Sequence, residues 1–162
     1  MTESTLQKVG ADLYEEDFYL WTQRQTELLR QRRFSDVDLE HLIEEIEDLG
    51  SNQRNAVESL VQNILYHLLK LHFSPTVPPR HGWEATVRAQ RIQLRRRPTT
   101  SLRNHVAATL AELYADAREL AAHDLRQDSV PADRLPADCP YTLDQILSPG
   151  WFPANVHGLR DD

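Results

Sequence analysis

The segment DLEHLIEEIEDLG, which runs from Asp38 to Gly50, holds the densest group of side chains that could do chemistry. Glutamates that converge inside a helical bundle can bind metal ions, and a carboxyl group can act as a general acid or base. At about 100° per residue, Glu44 lies roughly 160° from the centre of the apolar stripe of this segment. Glu45 and Glu47 lie roughly 100° from that centre, on opposite sides. The three carboxylates therefore diverge, and the pattern favours a solvated helix face.

A second acidic group comprises Asp116, Glu119 and His123, which share a helix face at spacings of three and four residues. Di-metal helical bundles use the pattern Glu-x-x-His, and the sequence does not contain it. We therefore expect no metal ion and no other cofactor. Three residues are interpreted as rim carboxylates that form weak ion pairs: Glu45, Glu47 and Glu119. A metal- or small-molecule-dependent activity, with these carboxylates at the rim of a polar core, stays open as an alternative.

Arginines concentrate between residues 80 and 97, where Arg88, Arg91 and Arg95 fall on one helix face. Because arginine clusters neutralise phosphates, these three are candidate anion-binding residues, and the helix could bind nucleic acid. The alternative, which we favour, is that they compensate the carboxylates between Asp36 and Asp48. The net charge of −7 and the lack of interleaved aromatic residues argue against nucleic acid.

Several polar residues fall on apolar faces of the predicted helices, where a buried polar group needs a hydrogen-bond partner. His67 lies roughly 60° from the centre of its stripe, and Gln25 also falls on a core face. Four residues are interpreted as a candidate polar core whose members bond to one another: His67, Gln53, Gln90 and Tyr114. Because a half-buried histidine titrates near neutral pH, His67 is also the first candidate for a ligand or a catalytic base.

Hydrophobic periodicity predicts an all-α fold, an elongated bundle of about four main helices with a short helix near the C-terminus. The predicted bounds are 12–33, 36–73, 82–97, 101–125 and 142–147. Apolar residues before and after Gly50 share one rotational register, which indicates a single second helix on the order of 55 Å long. A compact domain of this size has a radius of gyration of roughly 15 Å. We therefore expect the shorter helices to leave part of the stripe uncovered.

The chain length of 162 residues is typical of a single domain, here with a core over 13–147 and loose termini. The single cysteine, Cys139, excludes an intrachain disulfide. No apolar signal region is visible near the N-terminus, and the most apolar stretch, 64–73, is about half the length of a membrane span. These features predict a cytoplasmic protein that does not enter the membrane.

Six stretches occur in an order that resembles a bacterial family known as domain of unknown function 29 (DUF29): YEEDFYLWTQRQTELLR, DLEHLIEEIEDLG, HLLKLHFSP, WEATVRAQR, YADARELA and LPADCPYTLDQIL. The resemblance covers about residues 13–147 and implies a small all-helical bacterial protein of the cytoplasm, without implying a reaction. It maps the family pattern onto Glu44, Glu45, Glu47, His67, Lys70, Trp83, Thr86, Gln90, Arg91 and Tyr114. The stretch RRPTTSLR departs from the family, which reads closer to Ser-Pro-Ser-Leu-Arg, at the cap of the fourth helix.

Three functional hypotheses follow from these features. The first is a non-enzymatic module that binds a protein partner, or a second copy of itself, through the uncovered apolar stripe. The second is a metal- or small-molecule-dependent activity around His67. The third is nucleic-acid binding through Arg88, Arg91 and Arg95.

Overall fold

The computed structural model describes residues 13–97 and 99–159, and within these ranges it contains helices and no β-strand. A helical turn over 13–16 precedes α1 (Phe18–Arg30), which is followed by α2 (Leu39–Phe73), α3 (Arg80–Arg95), α4 (Thr100–Leu125) and α5 (Leu143–Leu147). Short 3₁₀ turns occupy Phe34–Asp36 and Ala132–Arg134. The predicted all-α class, with four main helices and a short fifth, is confirmed. Contacts divide the chain into two compact units, Met1–Asn52 and Gln53–Asp162.

A break at Asp17 interrupts the predicted first helix, and the second helix begins later than predicted. The carboxylate of Asp17 accepts a hydrogen bond from Leu20 N (2.9 Å) and caps α1, so the helix starts at residue 18. The predicted start at residue 12 lies outside the described residues. The second helix begins at Leu39 because the 3₁₀ turn Phe34–Asp36 and the extended backbone of Val37 come before it.

The second helix is continuous through Gly50, as the shared register of its apolar residues predicts. Its second half lies in the core, with these residues buried: Val57, Val61, Ile64, Leu65, Leu68, Leu69 and Leu71. In its first half, four apolar side chains are 61, 48, 60 and 67% exposed: Leu39, Ile43, Ile46 and Leu49. Gln53 is exposed as well, because the hydrophobic cluster that buries α2 begins only at Val57.

The core of the second unit joins the second half of α2 to α4. Val106, Leu113, Ala117 and Leu125 supply the buried side of α4, and Val87 is the buried apolar residue of α3 in the same cluster. The chain after α4 packs on this cluster through buried and partly buried residues: Leu135, Tyr141, Ile146, Trp151 and Phe152. The short α5 is held at its start by a capping box between Thr142 and Gln145.

Residues 155–157 are hydrogen-bonded to the C-terminal end of α2. Asn155 Nδ2 donates to Leu71 O (2.8 Å) and to Ser74 O (2.9 Å), and Val156 N donates to His72 O (2.9 Å). These bonds satisfy carbonyl groups that the last turn of a helix leaves without partners. The sequence predicts a loose C-terminus, whereas residues 155–157 are hydrogen-bonded within the second unit.

Candidate functional site

The four residues of the predicted polar core do not bond to one another. Tyr114 Oη donates to Pro136 O (2.6 Å), and Gln53 is exposed. His67 Nδ1 and Gln90 Oε1 are buried and have no hydrogen-bond partner within the described residues. The expected network does not hold, because a helical wheel gives the direction of a side chain but not the group that lies opposite.

A polar cluster does lie next to His67, and its members are Tyr66, Lys70 and Asp124. Lys70 Nζ lies 2.9 Å from both Tyr66 Oη and Asp124 Oδ2, and Tyr66 Oη donates to the same carboxylate oxygen. The ammonium group also lies 4.7 Å from the ring centroid of Tyr66 and 4.8 Å from that of Trp83. One carboxylate, one hydroxyl and two aromatic faces therefore hold this cation between α2, α3 and α4.

Electrostatics keep the ion pair charged and the neighbouring histidine neutral. Burial opposes the charged form of Lys70, but its hydrogen bonds to Tyr66 and Asp124 raise the pKa of the ammonium group. The hydrogen bond from Tyr66, followed by that from Lys70, lowers the pKa of Asp124. Burial lowers the pKa of His67 to about 4, and the charge of Lys70 acts in the same direction. At neutral pH the cluster therefore pairs a charged ammonium group on α2 with a charged carboxylate on α4, beside a neutral imidazole.

The three candidate rim carboxylates have different surroundings in the structure. Glu45 accepts a hydrogen bond from Tyr14 Oη (2.6 Å), and this bond raises the pKa of Tyr14 to about 12. Glu47 and Glu119 are exposed. Across residues 13–97 and 99–159, no three His, Cys, Asp or Glu side chains are grouped so that they could hold a metal ion.

Sequence reasoning missed a hydrogen-bonded group in the first unit, centred on Asp38. Its Oδ2 accepts a bond from Trp21 Nε1 (3.1 Å) and lies 2.8 Å from His41 Nδ1, and its backbone N–H donates to Gln25 Oε1 (2.9 Å). The ring of His41 stacks on that of Tyr14, with 4.1 Å between centroids. The hydrogen bond to Asp38 raises the pKa of His41. One sequence feature indicates part of this group: Asp38 and His41 are three residues apart, which places them on one helix face.

Arg91 is 1% exposed, and its contacts are to main-chain oxygens. Its Nε donates to Ile146 O (2.8 Å), its Nη1 to Trp151 O (2.8 Å) and its Nη2 to Gln145 O (3.1 Å). Burial, with the nearby charge of Arg88, lowers the pKa of Arg91 to about 10. The guanidinium group therefore fixes the α5 segment to α3 with all three of its nitrogens.

The other two candidate anion-binding residues are exposed, with different neighbours. Arg88 pairs with Glu84 one turn earlier in α3 (3.1 Å), and its Cζ lies 5.0 Å from the ring centroid of Phe152. Arg95 lies in the last turn of α3 and lines a cavity of the second unit. Because Arg91 is buried between them, the three arginines do not form one continuous exposed strip.

Two parallel rows of side chains lie along the first half of α2. The apolar row is defined by the four exposed residues Leu39, Ile43, Ile46 and Leu49. The acidic row is defined by three exposed residues, each one position after a member of the apolar row: Glu40, Glu44 and Glu47. No lysine, arginine or histidine of the described ranges forms an ion pair with the acidic row.

Residues 13–152 match the family described as "Domain of unknown function DUF29". The chain belongs to the DUF29 family. No curated protein and no solved structure matches this DUF29 chain. In the part of the chain that the structure describes, no helix combines the length and the apolar character needed to cross a lipid bilayer.

Four of the positions that the resemblance maps onto the family make contacts between elements. Lys70 and Trp83 belong to the cluster around the ammonium group, and Arg91 and Tyr114 donate to main-chain oxygens of later segments. Glu44, by contrast, is exposed in the acidic row. The stretch before α4 that departs from the family in the resemblance still caps the helix, since Thr99 Oγ1 accepts a hydrogen bond from Leu102 N (3.2 Å).

Proposed function

We propose that this DUF29 protein is a protein-interaction module whose apolar row on α2 binds a helix of a partner protein. The observation that carries the proposal is the 48–67% exposure of four apolar side chains on one face of a continuous helix. Soluble monomers rarely expose contiguous apolar patches of large area. Spacings of three and four residues are those that helix-in-groove and coiled-coil pairing bury.

The acidic row supports a partner of positive charge. Glu40 and Glu44 are four residues apart, and like charges at that spacing destabilise a helix by about 0.2–0.5 kcal/mol. A partner helix with lysines or arginines beside its own apolar row would compensate these carboxylates and would be attracted before contact. A second copy of this chain would add three further carboxylates. The proposed partner is therefore a basic amphipathic helix of a different protein.

Site-specific photo-cross-linking in the native host tests this proposal. A benzophenone side chain is placed at Ile46 and, as a matched control, at Leu120, which is 54% exposed on α4. We expect an adduct from position 46 alone, joined to a peptide with an apolar row and flanking basic residues. Adducts with a second copy, or with residues 1–12 of the same chain, would contradict the proposed partner, and the absence of any adduct would contradict the proposed function.

Charge reversal on the acidic row tests whether these carboxylates attract a basic partner. The variant Glu44→Lys/Glu47→Lys should weaken binding of the cross-linked peptide about tenfold at low salt and by less at high salt, because added ions screen exposed charges. The control is Glu112→Lys/Glu119→Lys, which reverses two exposed carboxylates of α4. Equal loss in both variants would show that net charge alone, and not this row, attracts the partner.

A further inference from the structure

We propose that the second unit also binds a small amphiphilic anion, with an apolar body and a carboxylate or phosphate head. The site is a cavity of about 420 Å³ lined by residues of α2, α3, α4 and α5. Small-molecule sites typically occupy ~300–1,000 Å³ and combine apolar walls with a few polar groups. The apolar wall here consists of Val57, Val61, Leu94, Leu102, Val106 and Leu147. Such a wall favours an apolar body because binding removes apolar surface from water.

Four arginines line the same cavity, and they determine the charge of the ligand: Arg91, Arg95, Arg97 and Arg103. Arg103 pairs with the carboxylate of Asp144. Arg95 and Arg97 are exposed and form no ion pair with the described carboxylates. The chain as a whole has a formal charge of −7, yet the described lining of this cavity contains four arginines and no carboxylate. An anionic head group is the complement of this lining.

The buried arginine strengthens the assignment. Arg91 donates one hydrogen bond from each of its three nitrogens to a main-chain carbonyl, and these acceptors carry no net charge. A buried charge without a counter-ion is unfavourable unless another group compensates it. An anion in the adjoining cavity would supply this compensation without breaking the bonds that Arg91 makes to the α5 segment.

The N-terminal end of α4 also favours an anion in this cavity. Thr99 and Thr100, at the N-terminal end of this 26-residue helix, line the cavity, and the first turn contains no acidic residue. The N-terminus of a helix carries a partial positive charge and favours anions. The α3 dipole explains a cation in the last turn of α3, such as Arg95, but not the buried Arg91 one turn earlier. The head group is therefore placed at the arginines and the apolar body against Val57 and Val106.

Titration with decanoate and with decyl phosphate tests the site, using calorimetry for affinity and methyl NMR for location. We expect saturable binding of both anions, with the largest shifts at the methyl groups of Val57, Val61 and Val106. Decanol, which has the body without the charge, and acetate, which has the head without the body, should bind at least tenfold more weakly. Shifts confined to Leu39, Ile43 and Ile46 would place the amphiphile on the apolar row and overturn the proposal.

Two variants separate charge from volume. Arg95→Glu/Arg97→Glu should weaken decanoate binding about tenfold or more, while the exposed pair Arg24→Glu/Arg30→Glu on α1 serves as the control for net charge. Leu102→Trp should block the body by filling the cavity, and far-UV circular dichroism verifies that it folds. Undiminished decanoate binding in the arginine variant or in the tryptophan variant would overturn the proposal. Retention on phosphatidylglycerol vesicles without binding of monomeric decanoate would also overturn it, since the ligand would then be a membrane surface.

Discussion

Lys70 on α2 and Asp124 on α4 form an ion pair with 2.9 Å between Nζ and Oδ2, although 54 residues separate them. The two side chains differ in exposure, at 13% for the lysine and 38% for the aspartate. Removing the carboxylate therefore leaves a poorly hydrated charge, whereas removing the ammonium group leaves a charge that water can reach. The two removals should therefore lower the free energy of unfolding by different amounts.

Asp124→Ala should lower the free energy of unfolding by about 2 kcal/mol, and Lys70→Met by less, about 1 kcal/mol. Urea denaturation followed by circular dichroism measures both values, and the double variant completes a thermodynamic cycle. The exposed pair Arg103–Asp144 is the control, since Arg103→Met should cost about 0–1 kcal/mol. A larger loss for Lys70→Met than for Asp124→Ala would contradict the assigned difference in hydration.

Stability should fall on acidification because of His67. Its folded-state pKa is lowered to about 4, whereas an exposed histidine titrates near ~6.5, so the unfolded chain binds this proton more readily. The free energy of unfolding should therefore decrease as the pH falls from about 6.5 toward 4. His67→Leu should reduce this slope by as much as ~1.4 kcal/mol per pH unit, measured by urea denaturation across a pH series.

Part of the dependence of the free energy of unfolding on pH should remain in His67→Leu, because burial also lowers the pKa of His72. His81→Asn, at an exposed position, is the control for the loss of a histidine side chain. An unaltered slope in His67→Leu would show that His67 is protonated without cost in the folded protein.

The contribution of His41 to stability should depend on pH with the opposite sign to that of His67. Its hydrogen bond to Asp38 raises its pKa, so its stabilising contribution is complete below about 6.5 and is lost as the pH rises through the folded-state value. Asp38→Asn removes the carboxylate charge and should lower the pKa of His41. An NMR titration of the His41 ring proton measures the change, and an unchanged midpoint would mean that Asp38 does not control this histidine.

Arg91→Met should destabilise the second unit by about 3 kcal/mol or more, because one buried and two partly buried hydrogen bonds to main-chain carbonyls are lost. Arg91→Lys should restore little of this, since an ammonium group cannot reproduce the planar fork of the guanidinium group. Hydrogen exchange at Ile146 should become faster in both variants. Arg88→Met, which removes an exposed ion pair, should cost about 0–1 kcal/mol and leave that exchange rate unchanged.

Asn155→Ala should cost about 1–2 kcal/mol, because the amide donates to Leu71 O and Ser74 O at the end of α2 and is 9% exposed. A chain ending at residue 152, where the family match ends, should lose a similar amount. Asn104→Ala, at an exposed position on α4, provides the control for thermal and urea denaturation. Full stability of the shortened chain would show that residues after 152 do not support α2.

The rotational register of α2 was predictable because it depends on residues close together in sequence. An advance of about 100° per residue along α2 places Glu44 in solvent, Leu68 in the core and His67 beside it. All three positions agree with the structure. It fails at Gln53, which has a core-facing angle but is exposed. An angle on a helical wheel carries no information about whether another segment covers that face.

The arginine group shows a different limit. Spacing places Arg88, Arg91 and Arg95 on one face of α3, which indicates a shared role. The structure gives them separate surroundings because main-chain oxygens around α5 accept hydrogen bonds from the middle one, which is buried, while the other two are exposed. That segment lies 54 or more residues further along the chain, beyond the range of any local pattern.

The amino-acid sequence by itself determined the helices and their apolar faces, since hydrophobic spacing and caps act over one or two turns. Only the tertiary structure decided which stretch of the long apolar face is covered and which stretch stays exposed. It also decided that Asp124 meets Lys70 and that main-chain oxygens after residue 144 surround Arg91. Burial and pairing depend on groups delivered by distant segments, and folding alone brings those groups together.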